Sequence, residues 1–223
     1  MKKEAYFTAA TIQRRSDELL RNVMALRKQR DWAFDPGRAA LLVLDMQECF
    51  LDPGSHSYVP SGRAIIPGIG TLIRVFAGSS RPIIFTRHLN TAEDAGLMAK
   101  WWKDLIVETS PRSGFISELD VSAGRVFRKN RYDAFFGTDL EDMLKSRSVK
   151  QVVICGLMTH LCCETTARSA FMRGFEVFFT VDGTATYTEA FHAATLLNLS
   201  HGFATPVLAA EIRNAFEGSH DRS

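Results

Sequence analysis

Short apolar runs, rich in β-branched and aromatic residues, recur along the chain: AALLVLDM, RPIIFTRH, GRVFRKN, KQVVICGL, FEVFFTVDG and FATPVLAA. Most are apolar at consecutive positions, not alternate ones. A strand reads that way when helices cover both faces of its sheet. Between the runs the period becomes helical. GTDLEDMLKSRS opens with Thr138 as an N-cap and carries acidic residues in its first turn, where the exposed N–H groups favour negative charge. CETTARSAFMRG stops at Gly174, and TEAFHAATLLNLSHG runs from Thr188 to Gly202. Glycine suits the left-handed turn that closes a helix. The alternation predicts an α/β fold, a three-layer αβα sandwich around a central, mostly parallel sheet of about six strands.

Two segments break this rhythm. Residues 11–30 form an amphipathic helical pattern before the first strand, and 50–68, rich in Gly, Pro and Ser, reads as a long loop after it. Long loops at strand ends often border a site. The chain divides into a helical extension at 1–34, one domain at 35–215 and a tail at 216–223.

Composition narrows the function classes. The 223 residues suffice for one domain with a full core, and a net charge of +2, spread along the chain, offers nucleic acid or a membrane no basic face. No apolar run nears the ~20 residues that span a bilayer. The amino terminus, MKKEAYFTAATIQRRSDELL, lacks an apolar signal core, so we expect a cytoplasmic protein with reduced thiols. The four cysteines lack zinc-site spacing.

In an open parallel sheet, ligands bind beyond the carboxyl ends of the strands. Those ends carry Asp45, His88, Lys129 and the stretch 158–163, in strand order. Singly, each has a plain reading as a cap, a solvated charge or a small buried hydrophobe. Together they bring an acid, an amine and a thiol to one edge. A thiol is a strong nucleophile only as thiolate, which a helix amino terminus favours. Asp45 is placed to take the thiol proton and return it to a leaving group. Lys129 is placed to stabilise the thiolate, and N–H groups around Met158 and Cys162 to hold an oxyanion. Phe50, His88, Trp102 and Tyr132 are candidate substrate contacts. Trp101 beside Trp102 reads equally as a subunit interface. Arg87, Asn130 and Arg131 read as polar contacts or as structural salt bridges.

Three blocks, LLVLDMQ, KNRYDAFFGTDLEDML and VVICGLMTHLCCETTARSAFMRGFEVFFTVDG, resemble in order and spacing the isochorismatase-like cysteine hydrolases. The resemblance runs from about Trp32 to Ile212 and implies a Rossmann-like sandwich. Its G-x-x-T-x-x-C core places the family nucleophile on Cys162, with Asp45 and Lys129 completing the triad. Cys163, about 100° round the helix, then points into packing. Cys155 falls in the core, and Cys49 has no assigned role. The resemblance also implies a cis peptide between Leu157 and Met158 that aims the Met158 N–H at the oxyanion, and a homo-oligomer, dimer or tetramer.

Departures from the family pattern matter. Nicotinamidases of this family carry an Asp-x-His metal motif after the second strand, and His88 and Asn90 stand at the matching positions here. We therefore expect no metal and no cofactor. The amino-terminal extension, DMQ and RYDAFF lean toward isochorismatases proper, but those carry glycine in place of the nucleophile. His160 is read as a loop histidine bonded to its own backbone. The expected function is hydrolysis of a small amide, ureido or related C–N bond through an acyl-enzyme on Cys162. The alternatives are vinyl-ether hydrolysis by Asp45 without Cys162, and a non-catalytic thiol-sensing or binding protein.

Overall fold

A strand apolar at every position has no face for water, and Ala39–Leu44 (β1) is fully buried along its whole length. The computed structural model describes residues 2–28, 32–102 and 104–220. β1 is joined by Ile83–His88 (β2), Arg125–Lys129 (β3), Gln151–Leu157 (β4), Glu176–Ala185 (β5) and Thr205–Val207 (β6). All pairings are parallel, in the order β3-β2-β1-β4-β5-β6. The sequence order reverses between β1 and β4, which opens a crevice beyond their carboxyl ends. The edge strand β3 exposes Arg125, Val126 and Arg128, as an edge with charges on it can.

The helices are Ile12–Lys28 (α1), Glu48–Leu51 (α2), Ile66–Gly78 (α3), Met98–Trp101 (α4), Leu140–Ser146 (α5), Glu164–Met172 (α6), Glu189–Gly202 (α7) and Ala209–His220 (α8). α3 packs on α8, while α1 and α6 pack on α7, so helices cover the sheet and the three-layer expectation holds. Thr188 caps α7 by accepting the Phe191 N–H, and Gly174 closes the end of α6 at φ +84°.

Some boundaries move. Asp139, not Thr138, precedes the first residue of α5; the Thr138 hydroxyl donates to the Ala134 carbonyl and also accepts the Leu140 N–H at 3.4 Å. The predicted loop at 50–68 is shorter, since α3 begins at Ile66. Residues 29 and 30 of the first predicted helix lie outside the described residues. The tail drawn from 216 is helix as far as His220, with Phe216 in the core. The extension is not separate from the domain either: Tyr6, Phe7, Leu19, Leu20 and Val23 are all buried in the common core.

One glycine fixes the geometry where β1 and β4 approach the crevice. Gly156 has φ +112°, and a Cβ there would lie 2.1 Å from the Leu44 carbonyl oxygen. Both the conformation and the space exclude a side chain. Gly156→Ala is expected to cost more than about 4 kcal/mol or to prevent folding. Thermal melts check it; a variant melting within about 3 °C of the parent would refute the close-packing argument.

Candidate active site

The ends of β1, β2 and β3 lie side by side in register, Leu44 opposite Thr86 and His88 opposite Lys129. Asp45 follows β1 with φ +50°, a left-handed conformation that Asp tolerates better than most residues. The turn carries its carboxylate toward β2, where the Thr86 hydroxyl donates to Oδ1 at 2.6 Å. Oδ2 lies 2.7 Å from the Lys129 ammonium, and neither side chain has exposed surface. The ammonium sits off the hydrogen-bonding direction, so Oδ2 keeps a free acceptor position.

Lys129 also donates to the Arg131 carbonyl at 3.0 Å and to Cys162 Sγ at 3.3 Å, and its Nζ lies 3.4 Å from His88 Nδ1. Burial alone works against its charge. The Asp45 carboxylate and the Cys162 sulfur outweigh that and hold the ammonium above its ordinary range. His88 goes the other way: burial, then the neighbouring ammonium, push it down to about 4. At neutral pH it is an uncharged ring. Its Nδ1 faces the ammonium as an acceptor, so Nε2 carries the proton and donates to Asn90 Oδ1 at 3.0 Å.

Cys162 does not open an α-helix as expected. It lies in one wide turn, Thr159–Cys163, in which the Cys163 N–H reaches back to the Met158 carbonyl at 3.2 Å, and α6 starts after it. Such turns recur at functional sites. The Leu157–Met158 peptide that leads into the turn is cis. Burial, then the Asp45 charge, push the Cys162 thiol well up despite the Lys129 ammonium. This reverses the sequence-based expectation of a resting thiolate, because desolvation exceeds what one cation returns. Cys163 and Cys155 are fully buried, Cys49 is buried and pushed up to about 12, and all four thiols are free.

Cys162 lines a cavity of ≈ 60 Å³. Phe50, His88, Trp102, Tyr132 and Met158 all line it. Trp102 Nε1 donates to the Tyr132 hydroxyl at 2.8 Å, which fixes both rings. Trp101, by contrast, points away and is 78% exposed. Arg87 is spent on Ser113, and Arg131 on the Asp94 and Asn130 carbonyls, so both are structural. His160 bonds the Thr186 hydroxyl at 2.5 Å and stacks on Phe191, not on its own backbone.

Sequence reasoning missed Thr86, Gln47, Ser57, Asp104 and Tyr187. Thr86 lies two positions before His88 on one strand face, so the period of two pointed to it. Gln47 joins the His88 backbone to the Ser113 carbonyl through three buried hydrogen bonds. Tyr187 follows the end of β5, which the same strand-end rule would have reached. Ser57 and Asp104 stand in irregular segments without periodicity.

Asp45, His88 and Cys162 each bring a metal-type donor within 4.8 Å of the others. The Lys129 ammonium already lies among them, at 2.7, 3.4 and 3.3 Å. A metal ion there would meet a buried positive charge. Asn90, at a matching position of the nicotinamidase metal motif, instead holds the second nitrogen of His88. The residues present do not fit a metal at this place.

The isochorismatase domain model matches residues 39–211, a span that includes Asp45, Lys129 and Cys162. The chain belongs to the isochorismatase family. It is 39% identical to nicotinamidase 3 of Arabidopsis thaliana, over 81% of this chain and 90% of that one. It is 26% identical to the ureidoacrylate amidohydrolase of Caulobacter segnis, over 82% and 87%. The crystal structure of a cysteine hydrolase from Pseudomonas syringae pv. phaseolicola 1448A superposes with a TM-score of 0.80 at 26% identity, covering 84% of this chain and 96% of that one. The protein is thus an isochorismatase-family hydrolase. Among the described residues no helix is long and apolar enough to cross a membrane.

The raised thiol has a measurable consequence. Since the thiolate is the reactive form, iodoacetamide labelling of Cys162 should climb about tenfold per pH unit through neutrality and still be rising at pH 9. Lys129→Met removes the one cation that favours the thiolate, and should slow labelling at every pH. Peptide-mapped rates check this; a plateau below pH 8 would contradict the balance of burial and charge described above.

Proposed function

We propose that this hydrolase cleaves a small, uncharged amide or ureide through an acyl-enzyme on Cys162. One observation carries the reading: a single buried ammonium lies 2.7 Å from Asp45 and 3.3 Å from Cys162 Sγ, and Cys162 lines the cavity. In the first step the thiol proton passes to Asp45 as sulfur bonds to the substrate carbonyl carbon. The carbonyl electron pair moves onto oxygen, where the Met158 and Cys162 N–H groups stabilise it. The C–N bond then breaks, and Asp45 delivers the proton to the departing nitrogen. Water next gives a proton to Asp45 while its oxygen bonds to the acyl carbon. The C–S bond breaks, the sulfur takes the proton back, and the acid leaves. Lys129 stays charged throughout and steadies whichever partner is anionic.

The cavity wall supports an uncharged substrate. Among the described residues it holds no arginine or lysine; His56, which faces Asp104, joins Ser57, His88 and Asn90 as its polar members between aromatic and aliphatic walls. A carboxylate buried there would lack a partner. The similarity to a nicotinamidase agrees with a neutral planar amide, and that to a ureidoacrylate amidohydrolase with C–N cleavage. Cytoplasmic residence, which keeps Cys162 reduced, belongs to the same reading.

Ammonia release across neutral and anionic amides, nicotinamide included, tests it. Turnover is expected on neutral members, with Cys162→Ala and Asp45→Asn each lowering it more than about 100-fold. Pyruvate release from isochorismate that survives Cys162→Ala would assign vinyl-ether cleavage instead. Stoichiometric labelling of Cys162 without turnover on any amide would point to a binding or sensing role.

Self-association is also part of the proposal. Leu97 and Trp101, each 78% exposed, flank Met98 and Trp102, which line the cavity. A partner subunit covering that apolar pair would complete the cavity rim. Light scattering at micromolar concentration should give a multiple of 24.9 kDa; a clean monomer would refute it.

A further inference from the structure

We infer that residues 3–7 act as a strap that holds both the outer wall of the cavity and the nucleophile-bearing turn, with Lys3 and Tyr6 as positioning residues. The inference rests on the assignment of Cys162 as nucleophile. Lys3 works on the wall. Its ammonium donates to the carbonyls of His56 at 2.6 Å and Tyr58 at 2.8 Å, and lies 4.3 Å from the centre of the Tyr187 ring. His56, Ser57 and Tyr187 line the cavity, so one side chain clamps two segments of its rim. The Glu4 N–H adds a bond to the Tyr187 carbonyl at 2.8 Å. The Phe7 N–H donates to the Ser61 hydroxyl, which reaches back to the Glu4 carbonyl.

Tyr6 works on the turn. Its hydroxyl accepts the Thr186 N–H at 2.9 Å and lies 2.9 Å from His192 Nδ1. Burial pushes His192 down to about 3, so the ring that meets the tyrosine hydroxyl is uncharged at neutral pH. The same Nδ1 lies 3.4 Å from the Thr159 hydroxyl, and Thr159 is the first residue of the turn that carries Cys162. Thr186 in turn holds His160, the second residue of that turn. One hydroxyl thus ties the amino-terminal segment, the backbone after β5 and α7 to the base of the turn.

The two residues predict separable kinetic effects. Lys3→Met should raise KM about 5- to 10-fold and leave kcat within about twofold, because it loosens the rim and not the triad. Lys3→Arg, which keeps the charge and two or more donors, should restore most of the loss. Tyr6→Phe should lower kcat about tenfold or more with little change in KM, since it frees the turn. The assay uses the full chain and the neutral amide that gives most ammonia in the panel. Each kcat is referred to the fraction of chains whose Cys162 is labelled by iodoacetamide, so a loss of folded protein does not count as a loss of rate. Turnover that persists in Cys162→Ala would end the nucleophile assignment itself. If Cys162→Ala is inactive while Lys3→Met keeps the parent KM and Tyr6→Phe the parent kcat, the strap has no positioning role and the inference falls.

Discussion

An ammonium and a carboxylate without exposed surface, 2.7 Å apart, constrain everything around them. Removing either partner from such a pair leaves a buried charge uncompensated, at a cost of about 3–5 kcal/mol. The ends of β1 and β3 must therefore stay in register across β2, and most of the spare hydrogen-bonding positions are filled. Thr86 fills one on Asp45, while the Arg131 carbonyl and Cys162 Sγ take donors from Lys129. Gln47 locks the β2 backbone between them. The sheet order supplies the remaining condition, since its reversal between β1 and β4 opens a crevice beyond the strand ends.

The same dryness decides where the protons are. It pushes the Cys162 thiol up and His88 down, and leaves the Lys129–Asp45 pair as the charged element at rest. A free thiolate beside Asp45 would place two negative charges against one ammonium. Keeping the proton on sulfur avoids that state. In the proposed mechanism the free acceptor position on Asp45 Oδ2 is where that proton goes. Burial thus lowers the standing reactivity of the sulfur without removing its route to reaction.

Much of the fold was legible because it is written in periods. Short apolar runs marked all six strands, and glycines at 174 and 202 marked helix ends. The strand-end rule located Asp45, His88, Lys129 and Cys162, since each ends or follows a strand. It gave their neighbourhood but not their energetics: the thiol shift depends on how many atoms exclude water, and no local pattern encodes that. Thr138 shows how boundaries slip: its hydroxyl accepts the Leu140 N–H, yet the helix begins one residue later than a cap at that position implies.

The residues that escaped sequence reasoning share one property: they act at long range from irregular backbone. Tyr6 meets His192 across 186 positions, and Lys3 meets His56 across 53. Neither contact has a period, a spacing or a composition that would reveal it. Both lie in a segment that sequence reading set apart as an extension. The apolar core removes that separation, since Tyr6 and Phe7 are buried with the sheet's own residues. Once the segment is anchored there, its polar groups reach only what the core places beside them, which is the cavity rim and the base of the turn that carries Cys162. A hydrophobic anchor thereby gives a polar contact its address, and the start of the chain is built into the surroundings of Asp45, Lys129 and Cys162.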